Sequence, residues 1–319
     1  GWHYGFGAAG VGMVLGLIQF KFSRHLLGTA GLQRGNEKPL HIIERIGLIS
    51  AIVGTIAVLT LGLSGGVKFN PVLLAKGMAY VIVTIASVYF AYVFLFCKLE
   101  KVEKQRVAMI LVLFLASALF WAGFEQAGSS FNLFAERFTI RKFGWFDYEI
   151  PAAWFQALGP VFIITFAPLF AYLWVWLARR NLNPSIPVKF AFGLLLLGLG
   201  FLVMAGAAKI VASGKPAMPT WLITTYLIHT FGELCLSPVG LSSVTKLAPR
   251  RLVGQMMGTW FMATSLGNLL AGLLAGEFRA DAVQEWPALY LKIILLPGAA
   301  GLLLIFLSRP IKRLMTGIK

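Results

Sequence analysis

The chain has 319 residues, 58% of them hydrophobic and only 13% charged, with a mean hydropathy of +0.80. Too little polar surface remains to cover a water-soluble core, so most of the chain is expected to face lipid. The net charge of +16 does not point to nucleic acid, because the cations form no stripe or tail and fall in short clusters between apolar runs.

A membrane helix needs roughly 20 mostly apolar residues. Nine segments meet that pattern: Tyr4–Phe20, Ile46–Leu63, Leu73–Phe96, Val107–Phe124, Ala152–Leu177, Phe190–Ala208, Thr220–Leu241, Leu252–Ala275 and Leu289–Leu307. Turn signals such as Gly35-Asn36, Asn183-Pro184 and Pro249-Arg250 separate them. The first span begins almost at once and no methionine or signal peptide precedes it, so the chain reads as part of a longer protein.

Positive charge sets the expected orientation. With Gly1 outside, the inner loops carry 19 of the 28 Lys and Arg, in clusters such as Lys98–Arg106, Arg179–Lys189 and Lys246–Arg251. Positive loops are retained in the cytoplasm, which places the C-terminus there. Gly12 with Gly16, and Gly254 with Gly258, have the spacing that lets helices approach closely. The string Gly5-Phe6-Gly7-Ala8-Ala9-Gly10 matches a dinucleotide fingerprint but follows no strand and lies inside an apolar span, so it is set aside. Cys97 and Cys235 lie in different apolar runs and read as small packing residues.

Of twelve acidic residues, ten fall in loops or at span ends; Glu125 and Glu233 do not. An ionisable side chain within a membrane helix costs several kcal/mol, so it normally faces a cavity or a partner. Glu233 lies ~20 Å along its span, a little past the centre of a ~30 Å hydrocarbon core. Pro238 follows it and cannot donate to the carbonyl of Leu234, so the helix is expected to loosen there. Interrupted helices near the midplane are how transporters expose backbone groups to substrates. His229, one turn earlier, reads as a packing residue before a proton partner. Glu125 lies ~28 Å along its span by the same count, near the outer edge. Trp121 shares its helical face, an arrangement suited either to a protonated amine or to interfacial anchoring.

Burial disfavours a charged carboxyl, which is what a group that takes up and releases protons during transport requires. Catalysis finds no comparable support. The histidines at 3, 25, 41 and 229 fit no metal spacing, and neither a nucleophile elbow nor a phosphate-cradling loop occurs. No enzyme activity, metal or cofactor is expected.

The stretch Phe231-Gly232-Glu233-Leu234-Cys235-Leu236-Ser237-Pro238-Val239-Gly240-Leu241-Ser242 resembles the tenth-helix motif of the proton-dependent oligopeptide transporter family, within the major facilitator superfamily. Lys246-Leu247-Ala248-Pro249 and Met256-Met257-Gly258-Thr259-Trp260-Phe261 follow at the family's spacing. Phe120-Trp121 through Glu125-Gln126 is similar to the seventh-helix motif, and Gly1-Trp2-His3 to the start of the sixth.

The resemblance implies an all-α membrane fold with nine transmembrane helices. These would be the last helix of the N-terminal bundle at 1–22, a cytoplasmic linker with two inserted helices at 23–106, and a C-terminal six-helix bundle at 107–319. It further implies that Glu233, Trp121, Ser237 and Trp260 bind substrate, that Glu125 and Glu233 couple protons, and that Leu234, Pro238 and Leu241 form a gate.

The expected function is proton-coupled symport of di- and tripeptides in a bacterial inner membrane. Its partners would be peptide, protons, the bilayer and the N-terminal helices that the chain lacks. With those helices go the family's E-x-x-E-R-F motif and its fourth-helix lysine. The chain also departs from the family at Phe155-Gln156-Ala157-Leu158-Gly159-Pro160, where Gly159 replaces the usual asparagine. That departure leaves open a carrier for another small solute, such as nitrate or an amine-bearing compound. A membrane-embedded enzyme would need a clustered nucleophile or metal set, and a channel would need repeated pore-lining charges.

Overall fold

The computed structural model describes residues 2–28, 42–64, 70–142, 144 and 148–313, and separates two compact units, Gly1–Phe69 and Asn70–Lys319. The turn expected at Gly35-Asn36, the cations Arg34 and Lys38, and the side chains of Trp2 and His3 lie outside the described residues. The first unit contains α1 (Trp2–Ser23) and α2 (Ile42–Leu63). Its apolar side chains, among them Leu15, Leu17, Ile49 and Ile52, are exposed, a surface suited to lipid and not to water.

The second unit comprises α3 (Pro71–Phe96), α4 (Lys101–Phe124), α5 (Ser130–Phe138), α6 (Leu158–Arg179), α7 (Ile186–Ala212), α8 (Pro219–Leu247), α9 (Val253–Ala275), α10 (Trp286–Phe306) and α11 (Ser308–Arg313). The starts of these helices follow from local chemistry. Asn70 caps α3 by accepting from the amides of Val72 and Leu73 at 3.0 and 3.2 Å, with Pro71 as the first helical residue. Glu100 and Glu103 form a reciprocal capping box at α4.

Each of the nine expected spans has a long helix, except that residues 152–157 wind as 3-10 turns before α6 begins at Leu158. Six described segments are long and apolar enough to cross a membrane: Arg45–Gly62, Val72–Phe96, Lys101–Phe138, Ala152–Arg179, Ile186–Ala212 and Val283–Phe306. Helices α8 and α9 fall short by that measure, so nine crossings remain an expectation. In α8 the shortfall has a plain source: Thr220, Thr224, Thr225, His229, Thr230, Glu233 and Ser237 share one helix.

The core lies where α4, α7, α8, α9 and α10 pack together. Phe131, Phe201 and Tyr290 form an aromatic group with ring centroids 5.4 to 6.1 Å apart, and all three are fully buried. The α7–α8 crossing depends on two glycines. A Cβ on Gly193 would stand 3.0 Å from the Gly232 carbonyl oxygen, and one on Gly232 would stand 2.9 Å from that of Gly193. Among the described residues Gly254 and Gly258 have nothing within 4 Å of an added Cβ, so this pair picked out by spacing is not what brings helices together in the second unit. Spacing reports that two small residues share a face but not which helix that face meets.

Gly193→Ala is therefore expected to cost about 1–3 kcal/mol through overpacking, because its nearest neighbours include backbone that cannot swing aside. Gly258→Ala, with no neighbour to meet inside α9, should keep stability or raise it by up to about 1 kcal/mol. Thermal unfolding of the two purified variants checks the contrast, and equal melting temperatures would refute it.

Helix α3 is fastened to the rest of its unit. It packs against α9, and the Tyr89 hydroxyl donates to Gln255 Oε1 at 3.3 Å. Just beyond its end, Arg251 donates to the carbonyl of Cys97 at 2.6 Å and lies 3.7 Å from Glu103. The two cysteines are free thiols, with Cys235 buried, in keeping with packing roles.

Candidate functional site

Glu233 sits in the middle of α8, whose register is held by the residues before it. Thr225 donates to the Trp221 carbonyl at 2.9 Å, and His229 Nε2 donates to the Leu197 carbonyl of α7 at 3.1 Å. The imidazole is 2% exposed and packs 5.1 Å from the Phe201 ring and 5.6 Å from Phe131. A Cβ on Gly200 would fall 2.2 Å from its Cδ2 atom, so α7 is notched to receive it. His229 is thus a satisfied packing histidine that pins α8 one turn before the carboxylate.

Glu233 itself is half-buried, and its Oε2 is enclosed without a hydrogen-bond partner among the described residues. The same holds for Thr230 Oγ1 on α8 and for Ser117 Oγ and Trp121 Nε1 on α4. These two helices are in contact. Buried polar atoms are ordinarily paired, so such a group marks a place where a ligand or another part of the protein completes the bonding.

One expectation about this helix needs correcting. α8 continues as a regular helix through Pro238 to Leu247 and does not loosen beyond Glu233. A proline costs a helix one donor and a local clash, which a helix packed on several sides can absorb. The irregularity lies instead at Glu125, where α4 gives way to the 3-10 turn Glu125–Gly128 before α5 resumes.

That turn is tied down by Gln126, which is fully buried, donates from Nε2 to the Ala271 carbonyl of α9 at 2.9 Å and accepts from Ser129 Oγ at 3.2 Å. Tyr226 of α8 donates to the Ala127 carbonyl at 3.2 Å. Held in this way, the half-buried carboxyl of Glu125 sits on a turn tied to both α8, which carries Glu233, and α9. Gln126 and Tyr226 were not singled out from sequence. Their only signal was polarity within apolar runs.

The remaining candidates occupy different settings. Trp121 is half-buried and edge-on to Phe120 and Phe124, at 5.8 and 5.3 Å. Trp260 is 4% exposed and wedges between Phe190, 6.2 Å away, and the gap left by Gly240, where a Cβ would lie 2.2 Å from the indole. Ser237 is half-buried, Leu234 buried, and Pro238 and Leu241 exposed, all on α8. Gly159 is buried at the start of α6, yet nothing lies within 4 Å of an added Cβ, so open space stands where a side chain would be. Among the described residues no group of three His, Cys, Asp or Glu side chains gathers to hold a metal.

Long apolar helices packed in one bundle, with two half-buried carboxyls on them, define a helical membrane fold of the major facilitator type. The POT family model matches residues 1–287, and the chain belongs to that family. A peptide transporter of Yersinia enterocolitica is 40% identical over 99% of this chain and 63% of its own length. A di-/tripeptide transporter of Lactococcus lactis subsp. cremoris is 28% identical over 100% of this chain and 64% of its own length. A solved structure of a mutant of the peptide transporter POT, in complex with alafosfalin, superposes with a TM-score of 0.80 at 34% identity, covering 99% of this chain and 62% of that one. The chain spans a little under two thirds of the length of these relatives.

Proposed function

We propose that this chain forms the sixth helix, inserted hairpin and C-terminal bundle of a proton-coupled symporter for di- and tripeptides, divided at 1–22, 23–106 and 107–319. The observation that carries this reading is Glu233 Oε2, buried and unpaired among the described residues, with the half-buried Glu125 carboxyl on a turn bonded to the same helix α8. A free peptide amine supplies the positive charge and the donors that Glu233 lacks. Protonation of Glu125 links proton uptake to amine binding. Relatives that carry the name of peptide or di-/tripeptide transporter support the substrate class.

The unpaired indole N–H of Trp121 donates to a peptide carbonyl, and Ser237 offers a hydroxyl on the face of α8 that carries Glu233 one turn away. Trp260 closes the pocket from behind, while Leu234, Pro238 and Leu241 form the gate segment. The protein resides in a bacterial inner membrane with its C-terminus cytoplasmic and works by alternating access against the N-terminal helices. It is a carrier, with no role as an enzyme or in nucleic-acid binding. The open space at Gly159 favours a second reading, a related carrier for a bulkier amine-bearing solute, because no side chain there restricts the cavity.

Uptake of a labelled dipeptide into proteoliposomes containing the whole protein tests the proposal. An inward proton gradient is expected to drive accumulation above the external concentration, and a protonophore to abolish it. Uptake indifferent to the gradient would rule out symport, and uptake of other amines with none of dipeptide would favour the second reading.

A further inference from the structure

Lysines from three separate helices converge on one cavity at the junction of α6, α7, α8 and α11. Its volume is about 1050 Å³, and Lys189, Lys246 and Lys312 line it with no Asp or Glu among the lining residues. Lys189 is only 8% exposed, and its ammonium stands 4.3 Å above the Trp174 ring. Lys189 and Lys246 are near enough for their charges to interact. The tryptophan face offsets part of the cost of burying Lys189, but like charges gathered beside apolar walls still call for an anion.

The first turn of α7 opens onto the same cavity through Ser185 and Ile186, and Ser185 makes no side-chain cap bond. Uncapped amides and the positive end of a 27-residue helix therefore add to the lysines. The other walls mix Asn181, Asn183, Ser242 and Ser243 with apolar side chains such as Phe170 and Leu234, and Leu169 and Leu173 of α6 are exposed. A small free anion gains nothing from the apolar part of the lining, whereas an acyl chain does.

We propose that this cavity binds a phosphate group carried by an anionic lipid. The phosphate is held by Lys189, Lys246, Lys312 and the first turn of α7, and an acyl chain runs along Phe170 and Leu234. Basic pockets between membrane helices take lipid head groups by this chemistry. Neither Glu125 nor Glu233 lines the cavity, although Leu234 and Pro238 of the gate segment do, and the proposal holds whatever solute the protein carries.

Native mass spectrometry of the full chain in detergent, titrated with phosphatidylglycerol or phosphatidylcholine, tests it. Phosphatidylglycerol is expected to be retained preferentially. K246Q/K312Q, which alters two exposed lysines and leaves Lys189 on Trp174, should reduce that preference by roughly fivefold per lysine removed. K189Q should do the same, and an unchanged melting temperature for K246Q/K312Q separates lost binding from lost folding. Equal retention of the two lipids, or a preference unchanged in K246Q/K312Q, overturns the proposal. Inorganic phosphate is expected to compete only in large excess. Displacement of phosphatidylglycerol by an equal concentration of phosphate would mean a free-phosphate site and end the lipid assignment.

Discussion

Glu233→Gln in the whole protein is expected to abolish uptake of peptides with a free amino terminus. Losing one partner of a buried charge pair costs about 2–5 kcal/mol, or roughly 30-fold to several thousand-fold in affinity. The amide keeps the shape of the side chain and can accept one hydrogen bond, so folding should survive. Unlike in most such substitutions, no internal partner is stranded, because Oε2 has none among the described residues. An N-acetylated dipeptide, which has no charged amine, should be affected far less by the substitution than the free peptide. Uptake of the two peptides by wild type and variant, measured in parallel, decides it. Undiminished uptake of the free peptide would sink the assigned role.

Glu125→Gln is expected to separate exchange from accumulation. With the carboxyl replaced by a neutral amide, nothing at this position takes up or releases a proton, so the gradient loses its handle. The amine site at Glu233 remains, and counterflow exchange of labelled for unlabelled peptide should proceed within a few-fold of wild type. Proton-driven accumulation should fall to the equilibrium ratio. Accumulation retained by Glu125→Gln would count against the coupling role, while loss of exchange as well would point to a damaged fold.

The two carboxyls differ in how far sequence alone reached them. Glu233 was visible because a charge in the middle of an apolar run is costly, and counting residues along a helix placed it at depth. The same count put Glu125 near the membrane edge, away from Glu233. A linear count assumes a straight, regular helix, and α4 ends as a regular helix at Phe124. Gln126 bonded to Ala271 and Tyr226 bonded to Ala127 then hold the 3-10 turn against α9 and α8. Both contacts join residues about 100 or more apart in the chain, out of reach of any local pattern.

Pro238 shows the opposite error. A local rule predicted a loosened helix, and the packing of α8 against α6, α7 and α9 kept it regular. Lys189 was counted simply as one more inner-loop cation. Its place over Trp174 depends on α7 beginning at Ile186 and lying beside α6, which composition does not reveal.

By itself the sequence determined that this is a multi-span helical membrane protein, where its long helices run, and through several ordered motifs which family it belongs to. Those properties follow from hydropathy and from local strings, which are written along the chain. Only the tertiary structure decided which glycines let helices touch, that the turn at Glu125 is tied to α8 and α9, and that three lysines share a cavity. Each of these depends on which face of one helix meets which face of another, and that is set by packing across distant parts of the chain.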